Sequence, residues 1–299
     1  MDRSKKDLMY YIRGIRAVRD EYLFRLWTIL TGKRRYFAAR PKNRFKRRFI
    51  LCYPEKPGSL HSFYPLCRAL GLKITTDPHK DATIIMHFED ATFRNNHPVL
   101  NELAKTKRII NGRCSDISKE KVDEVFSRVF GYSLSIDPRV HTGPCVEKSN
   151  INGANDGRIV DCPRSPQEGY IYQKLVDTQD GDMAVDMRIS IFGSEIPLVY
   201  LRHKHITDRF RNTQKAVRVP ASDVLSEGEQ RKIILFCKEL GFDYGELDAV
   251  REKSDGKLYI VDANTTPWCP HPGHQISFDE YEYFLKTSSD CFASEFMLD

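Results

Sequence analysis

The chain has 299 residues, of which 40% are hydrophobic and 29% are charged. This composition excludes a disordered chain and a collagen-like repeat, and the length suffices for two ordinary domains with real cores. The formal charge of +6 is unevenly spread: residues 1–48 hold sixteen basic and four acidic side chains, a net +12, and the remainder carries −6. The sequence therefore describes a mildly acidic body with a basic N-terminal arm.

The cysteines and the apolar runs indicate a compartment. Eight cysteines occur without a CxxC pair, which in a chain of this length indicates reduced thiols. The apolar runs are strand-sized, well short of the ~20 residues that a transmembrane helix needs. Arg13, Arg16 and Arg19 interrupt the N-terminal segment, so a cleaved signal peptide is not expected. We expect a cytoplasmic protein.

The arm is predicted to contain a helix over residues 7–31 that ends at Gly32, followed by a basic connector, 33–48, with Pro41. Arginines fill the spaces between its apolar side chains. The apolar side chains recur at steps of three and four, at Leu8, Tyr11, Ile12, Ile15, Val18, Tyr22, Leu26 and Ile29.

Three interpretations of this arm are open. The favoured one is that its apolar stripe packs on the body while the arginines are solvated. The second is peripheral association of residues 1–48 with the anionic inner face of a membrane. Nucleic-acid binding is disfavoured, because no recognised nucleic-acid motif accompanies the positive charge.

Regular alternation of strands and helices begins at Phe49 and predicts a small, mainly parallel α/β domain over residues 49–115. Apolar runs that favour strands are bounded by turn residues, and a glycine closes the first helix. Strands are predicted at 49–52, 72–75, 82–87 and 108–111, and helices at 61–70 and 99–105.

The remaining chain, 116–299, mixes helices with antiparallel strands. The region 138–166 is rich in Gly, Asn, Asp and Pro, and within it a short strand that carries Lys148 is followed by a flexible Gly/Asn loop. Helices are predicted at 118–130, 227–240 and 278–286. Strands are predicted at 170–176, 184–192 and 196–201, with a hairpin of 244–251 and 257–264.

That C-terminal hairpin carries the strongest chemical signal, two carboxylates and an amide on adjacent strands. Asp262 and Asn264 share one face of their strand because side chains alternate, and Asp248 can lie near them on the paired strand. Carboxylate and amide oxygens are ligands that Mg²⁺ prefers, and an unpaired aspartate is costly among apolar neighbours. A solvated polar face is the alternative, and it is the commoner one for acidic strand residues taken alone.

Three cationic side chains are candidates for binding phosphate or carboxylate groups. Lys148 precedes a Gly/Asn-rich loop, from Gly153 to Gly157, whose backbone amides can approach phosphate oxygens. Arg188 and Arg202 lie on predicted strands that can face the same cleft, and arginine suits bidentate recognition of phosphate or carboxylate. Each feature alone is also typical of an ordinary loop or an exposed strand arginine.

The order of these features resembles the ATP-grasp superfamily over roughly residues 110–270. A phosphate lysine and a flexible loop are followed by a hinge strand, an Asp-x-Arg strand, and an Asp…Asp-x-Asn hairpin that leads into Asn-x-x-Pro. The resemblance implies an α/β and α+β architecture in which two α+β subdomains clasp ATP. The expected domains are the basic arm (1–48), a small parallel α/β domain (49–115) and an ATP-grasp domain (116–299), with its lid at about 116–175 and its metal-binding core at about 176–299.

The resemblance also implies roles for individual residues. Asp248, Asp262 and Asn264 match the ligands of two Mg²⁺ ions, with Mn²⁺ as the alternative metal, although the family usually has glutamate in place of Asp262. Lys119 or Lys121 is a candidate for a second phosphate lysine. The ATP contacts implied in the lid and the hinge are those of Lys148, Gly153, Gly157, Gln173, Lys174, Leu175, Val176 and Asp177.

By this resemblance the chain is an ATP-dependent ligase that activates a carboxylate as an acyl phosphate and joins it to an amine or thiol, releasing ADP and phosphate. The expected substrates are small-molecule or peptide carboxylates and amines, with Arg202 and Arg188 holding the acyl phosphate or incoming carboxylate. Trp268, where the family usually has glycine, is expected to reshape the acceptor pocket. The alternatives are a phosphotransferase acting on a hydroxyl, and a non-catalytic module whose arm binds membrane or nucleic acid.

Overall fold

The computed structural model of the protein describes residues 3–39, 48–210 and 213–297, with side chains in the first helix from Arg19 onward. The helices are α1 (Arg3–Ala39), α2 (Phe63–Ala69), α3 (Pro98–Leu103), α4 (Lys119–Phe130), α5 (Ala221–Val224), α6 (Glu227–Leu240) and α7 (Phe278–Phe296). The strands are β1 (Arg48–Pro54), β2 (Leu72–Thr75), β3 (Ala82–Phe88), β4 (Ile109–Ile110), β5 (Gly143–Ser149), β6 (Arg158–Cys162), β7 (Tyr170–Lys174), β8 (Gln179–Asp180), β9 (Met183–Phe192), β10 (Glu195–His205), β11 (Lys215–Val219), β12 (Tyr244–Arg251) and β13 (Leu258–Asn264).

Strands β1 to β4 form a parallel sheet in the order β2-β1-β3-β4, which confirms the parallel sheet predicted for this region. Its strands are nearly continuous apolar runs, and Ile50, Leu51, Ile84 and Ile85 are all buried. This pattern is expected because a parallel sheet is covered on both faces.

Strands β8 to β13 form the central antiparallel sheet, in the order β11-β10-β9-β12-β13 with β8 paired to β9. Met187, Ile189 and Leu247 lie on its apolar face, in one buried cluster with residues of α4 and α6. Because side chains alternate along a strand, Arg188 and Asp248 lie on the opposite face. The sheet therefore has one apolar face and one charged face.

Strands β5 to β7 form the lid sheet, which is antiparallel in the order β6-β5-β7. Strand β6 was not predicted from the sequence, because it shows little apolar alternation and exposes Arg158 and Ile159. The buried apolar cluster of this sheet is small and consists of Cys145, Cys162 and Tyr172.

Helix α6 shows how local signals fix an element, since its bounds match the prediction residue for residue. The Ser226 side chain accepts a hydrogen bond from the backbone of Glu229, whose carboxylate accepts one from the backbone of Ser226. This reciprocal capping box starts the helix. Gly241 ends it in the left-handed conformation, with φ of +74°.

Helix α1 contradicts the predicted stop at Gly32, because it continues to Ala39. A Cβ at Gly32 would lie 3.3 Å from Cγ of Arg68 and 3.4 Å from a ring carbon of Tyr64. The glycine therefore allows α1 to pack closely against α2, and it does not end the helix. The rest of the predicted connector, 40–47 with Pro41, lies outside the described residues.

Helix α7 runs to Phe296, beyond the end predicted at Lys286. Weak helix formers at Ser288 and Ser289 obscure this continuation in the sequence. Phe292 is buried beyond them, so packing maintains a helix that propensity alone does not indicate.

One large apolar cluster joins the parallel sheet to the central sheet. It contains Ile50 and Met86 from the parallel sheet together with Tyr200 and Tyr244 from the central sheet. The backbone N–H of Ser62 also donates to the carbonyl of Pro267 across 2.8 Å. The two sheets therefore share this cluster.

Candidate active site

A cavity of ≈ 780 Å³ opens between the lid sheet and the charged face of the central sheet. Loops that follow the parallel strands complete its wall, where Asp90 and Thr92 reach it. Of the predicted site residues, Leu175 and Asp177 do not line this cavity. Those that do are Lys148, Gly153, Gly157, Gln173, Lys174, Val176, Arg188, Arg202, Asp248, Asp262 and Asn264.

The two aspartates predicted to bind metal are direct cross-strand partners. Asp248 of β12 stands opposite Asp262 of β13, and Asn264 follows two residues later on the same strand. The backbone N–H of Thr266 donates to Oδ1 of Asn264 across 2.9 Å, which fixes the amide oxygen. The hairpin thus brings the three predicted ligands together.

Asp248 is held by two arginines. Nε of Arg188 lies 3.1 Å from its Oδ1, and Nη2 of Arg202 lies 2.8 Å from its Oδ2. Burial acts to raise the pKa of Asp248, but the two guanidinium charges outweigh burial and hold the pKa well below its ordinary value. Asp248 is therefore ionised across the physiological pH range.

Arg202 is the most buried cation of this network, at 7% exposure. Its guanidinium also pairs with Asp186, which in turn lies 2.6 Å from Nζ of Lys204. Burial lowers the pKa of an arginine, but Asp248 and Asp186 more than offset it and raise the pKa of Arg202. Arg202 therefore stays charged although it is removed from water.

Asp262 has the opposite electrostatic balance. Burial raises the pKa of its carboxyl group, Lys119 opposes this, and the negative charge of Asp248 adds to it. Two facing carboxylates that repel each other are stabilised by a cation between them.

The donor atoms of the hairpin fit a hard divalent cation. Two carboxylates and an amide oxygen are suitable ligands for Mg²⁺. The hydrogen bonds from Arg188 and Arg202 do not exhaust Asp248, because a carboxylate offers about four lone-pair sites. Asp248, Asp262 and Asn264 are therefore a suitable donor set for Mg²⁺.

Lys148 of strand β5 lines the cavity next to the hairpin that carries these acids. Its Nζ donates to the backbone carbonyl of Val261 across 3.2 Å. Desolvation in the cleft lowers the pKa of Lys148 to about 8, although the negative charge of Asp262 acts against it. The ammonium is thus available to an anion at neutral pH and loses its proton at mildly alkaline pH.

Lys119, the first residue of α4, supplies a second cation. Its Nζ donates to the carbonyl of Ile151 across 3.0 Å and to Oδ1 of Asn152 across 3.1 Å. Lys121, the other candidate from the sequence, instead pairs with Glu124 across 2.8 Å at the surface. Of the two lysines, Lys119 is the one that lines the cavity.

The lid loop is anchored at one end and closely packed at the other. Nδ2 of Asn152 donates to the carbonyl of Ala263 across 3.0 Å, which ties the loop to the hairpin. At Gly157 an added Cβ would lie 3.0 Å from the ring of Phe210. A larger residue at 157 would therefore push the loop away from Phe210.

The hinge contributes Gln173 and Lys174 at the end of β7, followed by buried Val176. Nζ of Lys174 lies 3.1 Å from the carboxylate of Glu252. Asp177 is exposed, and its Oδ1 accepts from the backbone N–H of Gln179 across 3.0 Å.

The far end of the cavity is formed by residues from two sheets. Oγ1 of Thr266 donates to Asp90 across 2.7 Å, which links the hairpin to the loop after β3. His61 lowers the pKa of Asp90. The ring of His61 packs edge-on against that of Trp268, with 6.2 Å between the ring centroids. Trp268 lines this end and is 52% exposed.

Sequence reasoning did not single out Asp90, Asp186 or Lys204 for this cavity. Lys204 could have been found, because it stands two residues after Arg202 on the same strand face. Asp90 had no such signal, since its place in the cleft depends on how the parallel sheet packs against the hairpin.

A separate cluster of potential metal ligands lies in the α/β region. Oε2 of Glu89 is 3.1 Å from Nε2 of His87 and 3.0 Å from Nε2 of His97, and Nδ2 of Asn95 donates to Oε1. Arg94 is buried beside His87 and donates to its carbonyl. The hydrogen bonds already satisfy Glu89, and the charge of Arg94 opposes a cation here.

Comparison with solved structures identifies the fold, although no family model and no curated protein sequence matches the chain. The ATP-grasp ligase PsnB, complexed with minimal precursor, Mg and ADP, superposes with a TM-score of 0.52 at 11% identity, covering 80% of this chain and 97% of that chain. The chain has the ATP-grasp fold. This confirms the fold that the sequence pattern predicted.

Two further solved structures are similar with lower scores. D-alanine–D-alanine ligase from Bacillus anthracis, complexed with ATP, has a TM-score of 0.49 at 13% identity, covering 84% of this chain and 96% of that chain. PsnB complexed with a phosphomimetic variant of its minimal precursor, Mg and ADP has a TM-score of 0.43 at 12% identity. In that comparison the match covers 64% of this chain and 66% of the other.

Among the described residues, no helix combines the length and the apolar character needed to cross a bilayer. The long helix α1 is interrupted by charged side chains, as its sequence indicates.

Proposed function

We propose that the chain is an ATP-dependent ligase that joins a carboxylate to an amine or thiol through an acyl phosphate. The observation that carries this proposal is the charge arrangement of one cleft in an ATP-grasp fold. Lys119 and Lys148 line the same cavity as the facing aspartates of the hairpin and the buried Arg202. Phosphoryl transfer requires positioning and charge neutralisation rather than a protein nucleophile, and this cleft supplies both.

In this proposal the nucleotide lies between the lid sheet and the central sheet. Lys148 and Lys119 neutralise phosphate oxygens, and backbone amides of the loop from Gly153 to Gly157 cover them. The hinge at Gln173, Lys174, Leu175 and Val176 would present backbone groups to the adenine edge. Asp177 would contact the ribose only after a shift of the hinge, because it now lies outside the cavity.

Asp248, Asp262 and Asn264 would hold two Mg²⁺ ions, the number that the fold family implies. Mn²⁺ could take their place. A metal bound there neutralises the charge of the β- and γ-phosphates. Arg188 and Arg202 keep Asp248 ionised and fixed in position.

The chemistry would then proceed in two steps. An oxygen of the substrate carboxylate attacks the γ-phosphorus, the bond to the β-phosphate oxygen breaks, and ADP leaves. The nitrogen of the amine attacks the acyl carbon, the bond from that carbon to the phosphate oxygen breaks, and inorganic phosphate leaves with the proton that the amine loses. Arg188, Arg202 and Lys204 provide the positive surface that stabilises the acyl phosphate.

Water must be kept from this intermediate, because an acyl phosphate hydrolyses readily. The lid loop, packed against Phe210 at Gly157 and tied to the hairpin by Asn152, can exclude it. The substrates we propose are small-molecule or peptide carboxylates and amines, which reach the cavity past Asp90 and Trp268.

A cytoplasmic location accompanies this proposal. The catalytic step needs ATP, and the eight cysteines are free thiols, most of them buried. Cysteines in this state are typical of a reducing compartment.

The first test uses Asp262→Asn, with Asp255→Asn on the same hairpin as the matched control. Asp255 pairs with Lys257 at the surface, so its replacement should leave turnover unchanged. Asp262→Asn should lower substrate-dependent ADP release about a thousandfold. Its melting temperature should not fall, because burial raises the pKa of Asp262 and the charged carboxylate costs stability at neutral pH.

The measurement is a screen of carboxylates against amines that records ADP release and the product mass. An amide product with ADP and phosphate supports the ligase. A phosphorylated hydroxyl compound, formed without an amide, would show that the chain is a phosphotransferase and not a ligase. Wild-type ADP release by Asp262→Asn would overturn the metal assignment.

A further inference from the structure

Helix α1 has two apolar faces, and only one of them is covered in the described structure. On the inner face Phe24 is buried against the rings of His271 and Tyr281. Trp27 packs edge-on against Tyr281 at 5.2 Å, and Arg35 pairs with Glu282. These contacts fix α1 on helix α7.

The second apolar face of α1, here called the outer stripe, is exposed to solvent. Its residues are exposed to between 43% and 65%. It consists of Tyr22, Leu23, Leu26, Leu30 and Phe37. At 3.6 residues per turn these side chains fall within an arc of about 100° that excludes both Phe24 and Trp27, with Phe24 the farther from it.

The helix packs on the body, as the favoured interpretation of the arm expects, but through other side chains than Tyr22 and Leu26. Tyr22 and Leu26 belong to the apolar stripe predicted to pack on the body, yet both are exposed. The body is instead contacted through Phe24 and Trp27, which lie outside that stripe. Among the stripe residues whose side chains are described, Tyr22 and Leu26 are exposed and Ile29 is half-buried. An exposed apolar face of this length indicates a binding surface.

We propose that the outer stripe binds the surface of an anionic lipid bilayer, with α1 lying in the plane of the interface. Charge complementarity identifies this partner. Residues 1–48 carry a net +12, whereas the rest of the chain carries −6. A basic helix with aromatic and leucine side chains on one face is typical of interfacial anchors, which insert about 5–10 Å into the headgroup region.

The placement of charge on the helix supports the same partner. Lys33 falls within the arc of the outer stripe, and Arg34 borders it, as the helical angles require. Their aliphatic stems can lie along the acyl boundary while the charged groups reach lipid phosphates. The two acids between residues 19 and 39, Asp20 and Glu21, lie off this arc and already pair with Arg19 and Arg25.

A second copy of the chain fits this surface less well. Pairing two outer stripes would bring together two arms that each carry +12, and like charges at close range repel. A planar anionic surface meets the same stripe without that repulsion, over the roughly 30 Å that residues 19–39 span.

The test is flotation of the full chain with vesicles of phosphatidylcholine and phosphatidylglycerol, against vesicles of phosphatidylcholine alone. We expect the wild type to float with the anionic vesicles, and high salt to release it. Leu30→Ser should lower the partition coefficient about tenfold. Leu235→Ser is the matched control, because Leu235 is 45% exposed on helix α6; it should bind like the wild type.

The charge contribution is tested with Lys33→Gln and Arg34→Gln, each expected to weaken binding about fivefold. All variants should keep the wild-type melting temperature, since these side chains are exposed. Equal flotation of Leu30→Ser and Leu235→Ser, or no binding to anionic vesicles, would overturn the proposal. So would a dimer, measured by light scattering, that Leu30→Ser abolishes.

This inference does not depend on the proposed ligase activity. Asp262→Asn should float like the wild type even though its ADP release is lost. The two proposals can therefore fail separately.

Discussion

The two sheets that share the large core differ in where they place charged side chains. The parallel sheet buries apolar residues such as Ile50 and Ile85. The central sheet places Arg188, Arg202 and Asp248 on the face that lines the cleft. Removing charges from water costs several kcal/mol per ion before pairing repays it. In the described part of the parallel sheet buried charges occur only where β3 ends, at Glu89 and Arg94, whereas in the central sheet they cover the face that lines the cleft. This concentration marks the cleft face of the central sheet as a functional surface.

The largest stability effect should follow from breaking the charged network. Arg202→Met leaves Asp186 and Asp248 without their buried partner and should lower the free energy of unfolding by about 3–5 kcal/mol. Arg218→Met is the control, because Arg218 pairs with Glu280 at a partly exposed position on edge strand β11. It should cost about 1 kcal/mol or less. Urea unfolding measures both variants, and equal losses would contradict the comparison.

The parallel sheet should respond through packing alone. Ile85→Ala removes buried methyl groups from a cluster with Leu51 and Leu100 and should lower the free energy of unfolding by about 2–4 kcal/mol. Nucleotide affinity, measured by calorimetry at a temperature where the variant stays folded, should remain within twofold of the wild type. A tenfold loss of affinity would show that this sheet shapes the nucleotide site directly.

A smaller effect concerns the pH dependence of nucleotide binding. The pKa of Lys148 is lowered to about 8. Above that pH the side chain is mostly neutral, and it must take up a proton before it can pair with a phosphate group. The dissociation constant should rise about tenfold from pH 7 to pH 9. Lys148→Arg should flatten this profile because arginine stays charged, whereas Lys121→Arg at the surface should keep the wild-type slope. A wild-type profile without slope would exclude Lys148 from the phosphate site.

Local signals explain which parts of the fold the sequence predicted. Ser226, Glu229 and Gly241 define both ends of helix α6 within a few residues, so no distant contact is needed. Strands β6 and β11 were missed because they lie at sheet edges, where exposed side chains such as Arg158 and Lys215 leave little apolar alternation. The end of α1 depends on its contact with α2, which no local pattern records.

The candidate site also has a part that local sequence signals predicted and a part that depends on packing between distant elements. Asp248, Asp262 and Asn264 were predicted together because a hairpin makes distant positions neighbours through its turn. Asp90 reaches the cleft only through the packing of one sheet on another. The arginine contacts of Asp248 depend on the register between β9, β10 and β12, which alternation along single strands does not determine.

The small size of the lid core has a consequence for the order of events. Cys145, Cys162 and Tyr172 make up its buried apolar cluster, whereas the parallel and central sheets share a much larger one. Units with little buried apolar surface open at low free energy, so amide hydrogens of the lid sheet should exchange long before those of the shared core. Nucleotide would then complete the packing of the lid, and each catalytic cycle would begin with an ordering step.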